Sequence, residues 1–182
     1  MEDIIKNKNY FEGEHIDLLA FEKKDINMVL KWVNNEKINK TNGARFPISI
    51  YEETKWYEGI CSDKKKQKLI IATKRTEKIG MISLSNIDYK NQNSEIGIYI
   101  IPNYQRKGYA KEALNLLLKF VFYEFNMHKI YALIYNYNIS SLNLFQSVGF
   151  QHESTNKEVV YSQGKFIDIY VYSIFKKDFI IE

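Results

Sequence analysis

The chain has 182 residues, and 26 Lys and Arg against 22 Asp and Glu give it a formal net charge of +4 at pH 7. Hydrophobic residues make up 45% and aromatic residues 15% of the sequence, which excludes a disordered chain and fits one domain with a full core. Acidic and basic residues are interspersed and no nucleic-acid-binding signature is present, so we expect no nucleic-acid partner.

Targeting, disulfide and metal signals are equally sparse. No apolar run approaches the roughly 18 residues that cross a bilayer, and the first ten residues lack the apolar core of a signal peptide. Cys61 is the only cysteine, so an internal disulfide is excluded and a reducing, cytoplasmic location is expected. His15, His128 and His152 are scattered without a zinc-like spacing, so we expect no bound metal. Because no apolar run is long enough to cross a bilayer, we also expect no membrane partner.

The predicted elements follow from periodicity and capping signals. Ser49 and Glu52 have the spacing of a capping box at a helix start, and apolar residues recur at intervals of 3 and 4 between Ala110 and Phe125. In chain order the sequence predicts a strand at 15–21, helices at 24–34 and 47–62, strands at 68–74, 78–87 and 94–101, a helix at 107–125, a strand at 129–135, a helix at 140–147, and strands at 150–156 and 165–174.

The order β-α-α-β-β-β-α-β-α-β-β indicates one α/β (α+β) domain over residues 1–182. The long helix is expected to be the crossover between two parallel strands, because a parallel pair needs a connection of this length. We therefore predict a mixed central sheet of about seven strands with flanking helices. The basic cluster 64–66 with Lys68 lies between a helix and a strand and is interpreted as a solvated loop, with a polyanion contact as the alternative.

A short loop before the long helix carries the first functional signal. It reads Gln105-Arg106-Lys107-Gly108-Tyr109-Ala110, or Q-x-x-G-x-A. Neither a nucleoside-triphosphate P-loop nor a Rossmann G-x-G-x-x-G is present. Free N–H groups at a helix start attract anions, so this loop predicts a pyrophosphate seat, with Arg106, Lys107 and Lys111 adding positive charge. The alternative is an ordinary turn that contains glycine.

A second motif follows about 28 residues later in "YNYNISSLNLFQSVGF". Asn138 precedes a short amphipathic helix that contains Ser141, and Gly149-Phe150 follows it. With both motifs and the element order, nearly the whole chain resembles the GCN5-related N-acetyltransferase (GNAT) superfamily. The flanking segments "LKWVNNEKINK" and "GKFIDIYVYSI" resemble the RimJ/RimL type within it.

The resemblance implies acetyl-CoA as co-substrate and direct attack of an amine on its thioester. It implies that the pantetheine arm fills a gap between the splayed strands around 94–101 and 129–135, and that a main-chain N–H polarises the acetyl carbonyl. The cofactor-binding residues it implies are the backbone of Ile100 and Ile101 together with Gln105, Arg106, Lys107, Gly108, Tyr109, Ala110, Asn138 and Ser141.

Two proton transfers need side chains. An alkylamine with a pKa of about 10.4 is only about one part in a thousand free base at pH 7, so a base is expected, and Glu95 is the only carboxylate in the strand that leads into the loop. A surface charge or an ion pair is the alternative for Glu95. Many relatives have a tyrosine as the acid four residues before the Gly-Phe, but this chain has Phe145 there. Ser141 one turn earlier, water, or Tyr135 or Tyr137 could replace that acid.

The acceptor is predicted only as a primary amine: a protein N-terminus, a polyamine or an amino sugar. Its pocket is expected within 34–56, where Glu36, Glu52 and Glu53 mix with Lys37, Lys40 and Arg45, so charge does not decide. The RimJ/RimL resemblance makes a small molecule or peptide amine the expected partner, with a protein N-terminus as the default. It also suggests a homodimer. An acetyl-CoA-binding module or sensor without efficient catalysis is the alternative function, because Phe145 cannot donate a proton.

Overall fold

The computed structural model describes residues 10–41, 46–162 and 164–180, without the side chains of residues 37, 40 and 41. Three short 3₁₀ turns precede or follow the main elements at Lys23–Asp25, Pro102–Tyr104 and Lys176–Asp178. The strands are β1 (Ile16–Ala20), β2 (Gln67–Thr73), β3 (Lys78–Asp88), β4 (Asn93–Ile100), β5 (Lys129–Tyr135), β6 (Gln151–Ser162) and β7 (Lys165–Phe175), and the helices are α1 (Ile26–Val33), α2 (Glu36–Thr41), α3 (Ile50–Ser62), α4 (Tyr109–Tyr123) and α5 (Ile139–Ser147).

The described residues form one seven-stranded sheet in the order β1-β2-β3-β4-β5-β7-β6. All neighbouring strands are antiparallel except β4 and β5, which are parallel. Helix α4 connects these two strands, as the sequence predicted for a crossover. The predicted α/β class with a mixed sheet of about seven strands is therefore confirmed.

The two faces of the sheet carry separate hydrophobic clusters. Helix α4 packs on one face through its apolar stripe, in which Ala113, Leu114 and Val121 are completely buried. Helices α1 and α3 cover the other face, where Val29 and Trp32 pack against Met81 of β3. Helix α5 packs with α4 in the first of these clusters. A cleft can therefore form between β4 and β5, bordered by the helices on both faces of the sheet.

The sequence predicted the first residues of some helices more accurately than those of others. The capping box is confirmed, because the Glu52 N–H donates to Ser49 Oγ at 3.2 Å and the Ser49 N–H donates to Glu52 Oε2 at 2.8 Å. Consequently α3 begins at Ile50, three residues later than predicted. Helix α2 was not predicted, and α4 begins at Tyr109 because the residue before it, Gly108, adopts a left-handed conformation.

Candidate functional site

Strands β4 and β5 separate after a short stretch of parallel pairing. Within the described residues the pairing comprises Asn93 with Lys129, Ser94 with Ile130, and Glu95 with Tyr131. Beyond this point β4 continues to Ile100 and β5 to Tyr135, so backbone groups along both strands lose their ladder partner and face a gap. The structure thus shows the predicted splay, and Glu95 lies at the fork.

The gap opens into a cleft of about 1320 Å³. One end, here called the loop end, is formed by residues 104–111 and the start of α4. A second part of the cleft, here called the α3 end, is formed by Glu52, Glu53 and Trp56 of α3, Lys68 of β2 and Tyr99 of β4. Glu95 lines the cleft wall on β4 as well.

The loop end owes its shape to two left-handed residues. Arg106 has φ of 61° and Gly108 has φ of 83°, and for a residue other than glycine this region costs roughly 1–2 kcal/mol. A Cβ added at Gly108 would meet no described atom within 4 Å. The first backbone bond of the helix joins the Glu112 N–H to the Gly108 carbonyl at 3.1 Å, so the N–H groups of Tyr109 and Ala110 come before the first intrahelical donor and have no acceptor within the helix. The loop can therefore seat an anion.

Most of the predicted cofactor residues meet in this cleft. Gln105 lines it but also holds the loop, since its Nε2 donates to the Ile100 carbonyl at 2.8 Å. Two predictions find no support in the geometry. The Ile101 N–H donates to the Ile79 carbonyl at 2.9 Å, the Lys107 ammonium lies 5.1 Å from the Tyr104 ring centroid, and both residues are outside the set of described residues that lines the cleft. The predicted residues that do line it are Ile100, Gln105, Arg106, Gly108, Tyr109, Ala110, Asn138 and Ser141.

The second motif forms the cleft wall opposite β4. Asn138 is the N-cap of α5, and its Oδ1 accepts from the Ser141 N–H at 3.2 Å and from Ser140 Oγ at 3.0 Å. The amide nitrogen of Asn138 is thus the group left for a ligand. Ser141 is half-buried and lines the cleft.

The position that carries a tyrosine in many relatives is apolar here. Phe145 is buried against Phe150, with ring centroids 4.9 Å apart in an edge-to-face arrangement. Phe145 still lines the cleft, as does Tyr135, whose ring stacks on Tyr137 at 5.5 Å. Among the residues considered as the acid, Ser141 and Tyr135 therefore reach the cleft wall and Phe145 offers no donor.

Glu95 is held at the fork by a neighbouring amide. Asn86 Nδ2 donates to Glu95 Oε2 at 3.0 Å. Burial, and after it the charge of Glu95, raise the pKa of Tyr131, the parallel partner of Glu95. Glu95 is therefore neither on an edge strand nor in an ion pair among the described residues, and its carboxylate meets the cleft.

The α3 end contains residues that sequence reasoning missed or misjudged. Lys68 was interpreted as part of a solvated cluster, but it begins the apolar part of β2 and lines the cleft, with its ammonium 5.8 Å from the Trp56 ring centroid. Burial lowers the pKa of Lys68, while the charge of Glu95 opposes that shift. Tyr99 was not singled out, although strand alternation in "SEIGIYII" puts it on the same face as Glu95 and could have revealed it.

The expected acceptor segment is only partly described. Glu52 and Glu53 line the cleft, and a hydrogen bond from the Ser49 hydroxyl to Glu52 lowers the pKa of that carboxyl. Glu53 is only 3% exposed. Arg45 and the side chains of Lys37 and Lys40 lie outside the described residues.

The described part of the chain offers neither a metal site nor a membrane-spanning helix. No group of three His, Cys, Asp or Glu side chains there could hold a metal ion. None of its helices combines the length and the apolar content that a membrane crossing requires.

Comparisons with known proteins agree with this geometry. Residues 15–151 match the acetyltransferase (GNAT) domain family. The chain is 25% identical over 170 residues to an uncharacterised N-acetyltransferase, YokL, from a Bacillus subtilis prophage, with 93% of this chain and 95% of the relative covered. It is also 25% identical over 158 residues to the spermidine N(1)-acetyltransferase of Vibrio cholerae, with 86% and 91% covered.

A crystal structure of the Vibrio cholerae spermidine N-acetyltransferase in complex with CoA and spermine superposes with a TM-score of 0.84 at 26% identity, covering 90% of this chain and 96% of that one. A dodecameric structure of the Vibrio cholerae enzyme matches with a TM-score of 0.77 at 25% identity, covering 89% and 94%. The chain therefore belongs to the GNAT acetyltransferase family and is an acetyl-CoA-dependent N-acetyltransferase.

Proposed function

We propose that this enzyme transfers the acetyl group of acetyl-CoA to a primary amine of a polyamine such as spermidine. The observation that carries the proposal is the distribution of charge in the cleft. Arg106 and Lys111 line the loop end, whereas Glu52 and Glu53 line the α3 end and Glu95 lies at the fork of β4 and β5. An anionic cofactor and a polycationic acceptor are complementary to this arrangement.

The relatives support the same acceptor class. Spermidine acetyltransferases of Vibrio cholerae and Escherichia coli match 86% and 92% of this chain. Lys68 is the one basic side chain among the described residues that line the α3 end, and its pKa is lowered by burial, which weakens its repulsion of a cation at higher pH. A protein N-terminus, favoured by the RimJ/RimL resemblance, becomes the second acceptor to test.

At the loop end, the cofactor pyrophosphate rests on the N–H groups at the start of α4. Gly108 leaves open the space in front of these groups, and Arg106 and Lys111 supply positive charge at the rim. The pantetheine arm lies along β4 beyond the fork, where backbone groups have no β5 partner. Asn138 offers its amide nitrogen to that arm from the opposite wall.

Glu95 removes the proton that makes the acceptor amine unreactive. A primary ammonium loses its proton to Glu95 directly or through one water, because the carboxylate lies at the fork, towards which the thioester end of the cofactor arm points. The amine lone pair then attacks the thioester carbonyl, and a main-chain N–H on β4 stabilises the oxyanion. The hydrogen bond from Asn86 fixes the carboxylate without neutralising it.

Collapse of the tetrahedral intermediate breaks the C–S bond and releases CoA as a thiolate. With a thiol pKa of about 8.5, the thiolate is a good leaving group and needs only a weak acid. The nitrogen of the intermediate must still lose one proton, and Ser141 in the first turn of α5 relays that proton to the thiolate, either directly or by ordering a water. Phe145, one turn later in α5, has no proton to donate, so the role falls to Ser141.

The test is release of CoA thiol from acetyl-CoA in the presence of single acceptors. We expect spermidine to give the highest kcat/KM in a panel with Ala- and Ser-starting peptides, an aminoglycoside and a 4-amino sugar nucleotide. A faster peptide or sugar would overturn the polyamine proposal. If no acceptor in the panel stimulates release of CoA thiol, while calorimetry still shows binding of acetyl-CoA, the alternative function of an acetyl-CoA-binding module or sensor would be favoured.

A further inference from the structure

Strand β3 contains a bulge beside the carboxylate that we propose as the base. The pair of Ser85 with Glu95 is followed along the strands by the pair of Asp88 with Asn93. Between these pairs β3 therefore has two residues where β4 has one, and Asn86 is the first of the two. Bulges of this kind re-aim a side chain and are frequent next to active sites.

The bulge changes the direction of the Asn86 side chain. Side chains alternate between the two faces of a regular strand, so Asn86 would lie with Leu84 in the apolar cluster beneath α4. Instead Asn86 is exposed and has a left-handed φ of 53°, and Ile87 joins Leu84 in that cluster. The Asn86 amide thereby reaches Glu95, with Nδ2 donating to Oε2 at 3.0 Å.

Two hydrogen bonds anchor the bulge on either side of Asn86. The hydroxyl of Ser94, which is completely buried, donates to the Ser85 carbonyl at 2.8 Å. The Ile87 N–H donates to the Lys65 carbonyl at 3.1 Å. Because a bulge disrupts the regular ladder, these bonds satisfy backbone groups that are costly to leave unpaired. The conformation that turns Asn86 towards Glu95 is therefore fixed from both sides.

Asn86 also contacts the other strand of the fork. Tyr131 of β5 is the parallel partner of Glu95. Burial, and after it the charge of Glu95, raise the pKa of Tyr131, and a hydrogen bond with Asn86 partly offsets that shift. Lys68 of β2 is a second titratable group that senses the charge of Glu95. The Asn86 amide thus lies where both strands of the fork meet the carboxylate.

We propose that Asn86 is a positioning residue for acetyl transfer, which the bulge of β3 presents to Glu95 so that the carboxylate is held towards the acceptor ammonium. The inference deepens the proposed mechanism and rests on Glu95 being the base. A glutamate side chain has several rotamers, and one fixed donor selects among them. An amide suits this role because it donates a hydrogen bond without carrying a positive charge that would repel the acceptor.

The experiment compares Asn86→Gly with Asn126→Gly. Both asparagines are exposed and have a φ of 53°, so glycine fits the backbone of each. Asn126 lies in the connection between α4 and β5, where its Oδ1 accepts from Lys176 Nζ at 3.5 Å. Rates are measured as a function of pH with the acceptor of highest kcat/KM.

We expect kcat of Asn86→Gly to fall about tenfold at pH 7, with KM for acetyl-CoA within about twofold of the wild type, because a hydrogen bond to a charged group is lost at the base alone. The acidic limb of its kcat/KM profile should move up by about one pH unit, since the lost bond favours the charged carboxylate. Asn126→Gly should match the wild type in both.

A second variant, Asn86→Asp, keeps the test valid where the glycine variant does not fold. Aspartate is nearly isosteric and tolerates the same backbone conformation, but its carboxylate offers no donor. It should lower kcat and shift the acidic limb at least as far as glycine does. A wild-type pH profile in Asn86→Asp would overturn the proposal.

Combination with Glu95→Gln shows whether Asn86 acts through the base. In that background Asn86→Gly should change kcat by less than about twofold, because the interaction is already lost. A further tenfold loss would overturn the proposal, since Asn86 would then support the fold in general. Wild-type behaviour of Asn86→Gly beside an impaired Glu95→Gln would overturn it too, but would leave Glu95 as the base. If Glu95→Gln itself keeps the wild-type rate, the base assignment fails and the inference with it.

Discussion

The two ends of the cleft are built in different ways. The loop end consists of consecutive residues 104–111 whose backbone conformation and N–H groups do the binding. The α3 end gathers side chains from α3, β2 and β4, which are far apart in sequence and meet only because the sheet register brings them to one face. A site made of backbone groups binds the same ligand whatever side chains the sequence carries, provided that the chain folds this way. A site made of side chains can change its ligand by substitution.

This difference predicts unequal consequences of mutation. Changes at the loop end should act on every acceptor alike, because they act on the cofactor. Changes at the α3 end should depend on the acceptor and on pH, because side-chain charges recognise it.

Replacing Glu95 by Gln at the fork of β4 and β5 should lower kcat/KM about a thousandfold at pH 7, because the ammonium loses its base. The deficit should narrow as the pH rises towards the amine pKa of about 10.4, where free base becomes abundant. Stopped-flow or steady-state pH profiles would show this, and calorimetry should find acetyl-CoA affinity unchanged. A variant that keeps the wild-type rate at pH 7 would remove Glu95 as the base.

Replacing Gly108 by Val should weaken acetyl-CoA binding by about 100-fold, equivalent to about 2.7 kcal/mol, with every acceptor affected equally. Gly164→Val is the matched control, since Gly164 has nearly the same φ (82° against 83°) and an equally open Cβ position, but lies in the β6–β7 turn. Both variants should lose similar stability in thermal unfolding. Equal cofactor affinity in the two variants would contradict the loop assignment.

Replacing Ser141 by Ala should lower kcat about tenfold without changing the affinity for acetyl-CoA. Adding Phe145→Tyr should recover the rate, because a phenol one turn along the same face can donate to the thiolate. Rapid-quench measurement of acetyl transfer would separate this step from product release. An unchanged kcat in Ser141→Ala would mean that water protonates the thiolate unaided.

Replacing Lys68 by Met should lower KM for spermidine about threefold at pH 7, because a like charge is removed from the α3 end. Burial lowers the pKa of Lys68, so the lysine is cationic below that pKa and neutral above it. The advantage of the variant should therefore be present at low pH and vanish as the pH rises through the lowered pKa. Lys64→Met, at an exposed position outside the cleft, should leave KM unchanged, and an effect as large there would indicate long-range charge alone.

Local patterns predicted the parts of the molecule that local physics controls. The apolar stripe of α4, the Ser49 capping box and the glycine before α4 follow from interactions within a few residues, and each is found in the structure. The cofactor loop was recognisable for the same reason. Helix α2 was not predicted because its six residues are too few for a clear period.

The sequence by itself determined the family, the sheet with its crossover helix and the loop end of the cleft, because these depend on periodicity and on contiguous motifs. Only the tertiary structure decided which side chains share the α3 end. From the sequence, Lys68 was interpreted as a solvated lysine, and Tyr99 was not distinguished from other strand aromatics. The strand register places both residues on the face of the sheet that carries Glu95, where they line the cleft. Burial then changed their chemistry, lowering the pKa of the lysine and leaving the tyrosine hydroxyl without a partner among the described residues. Acceptor recognition is therefore a property of packing, since desolvation and register arise only when distant strands pair.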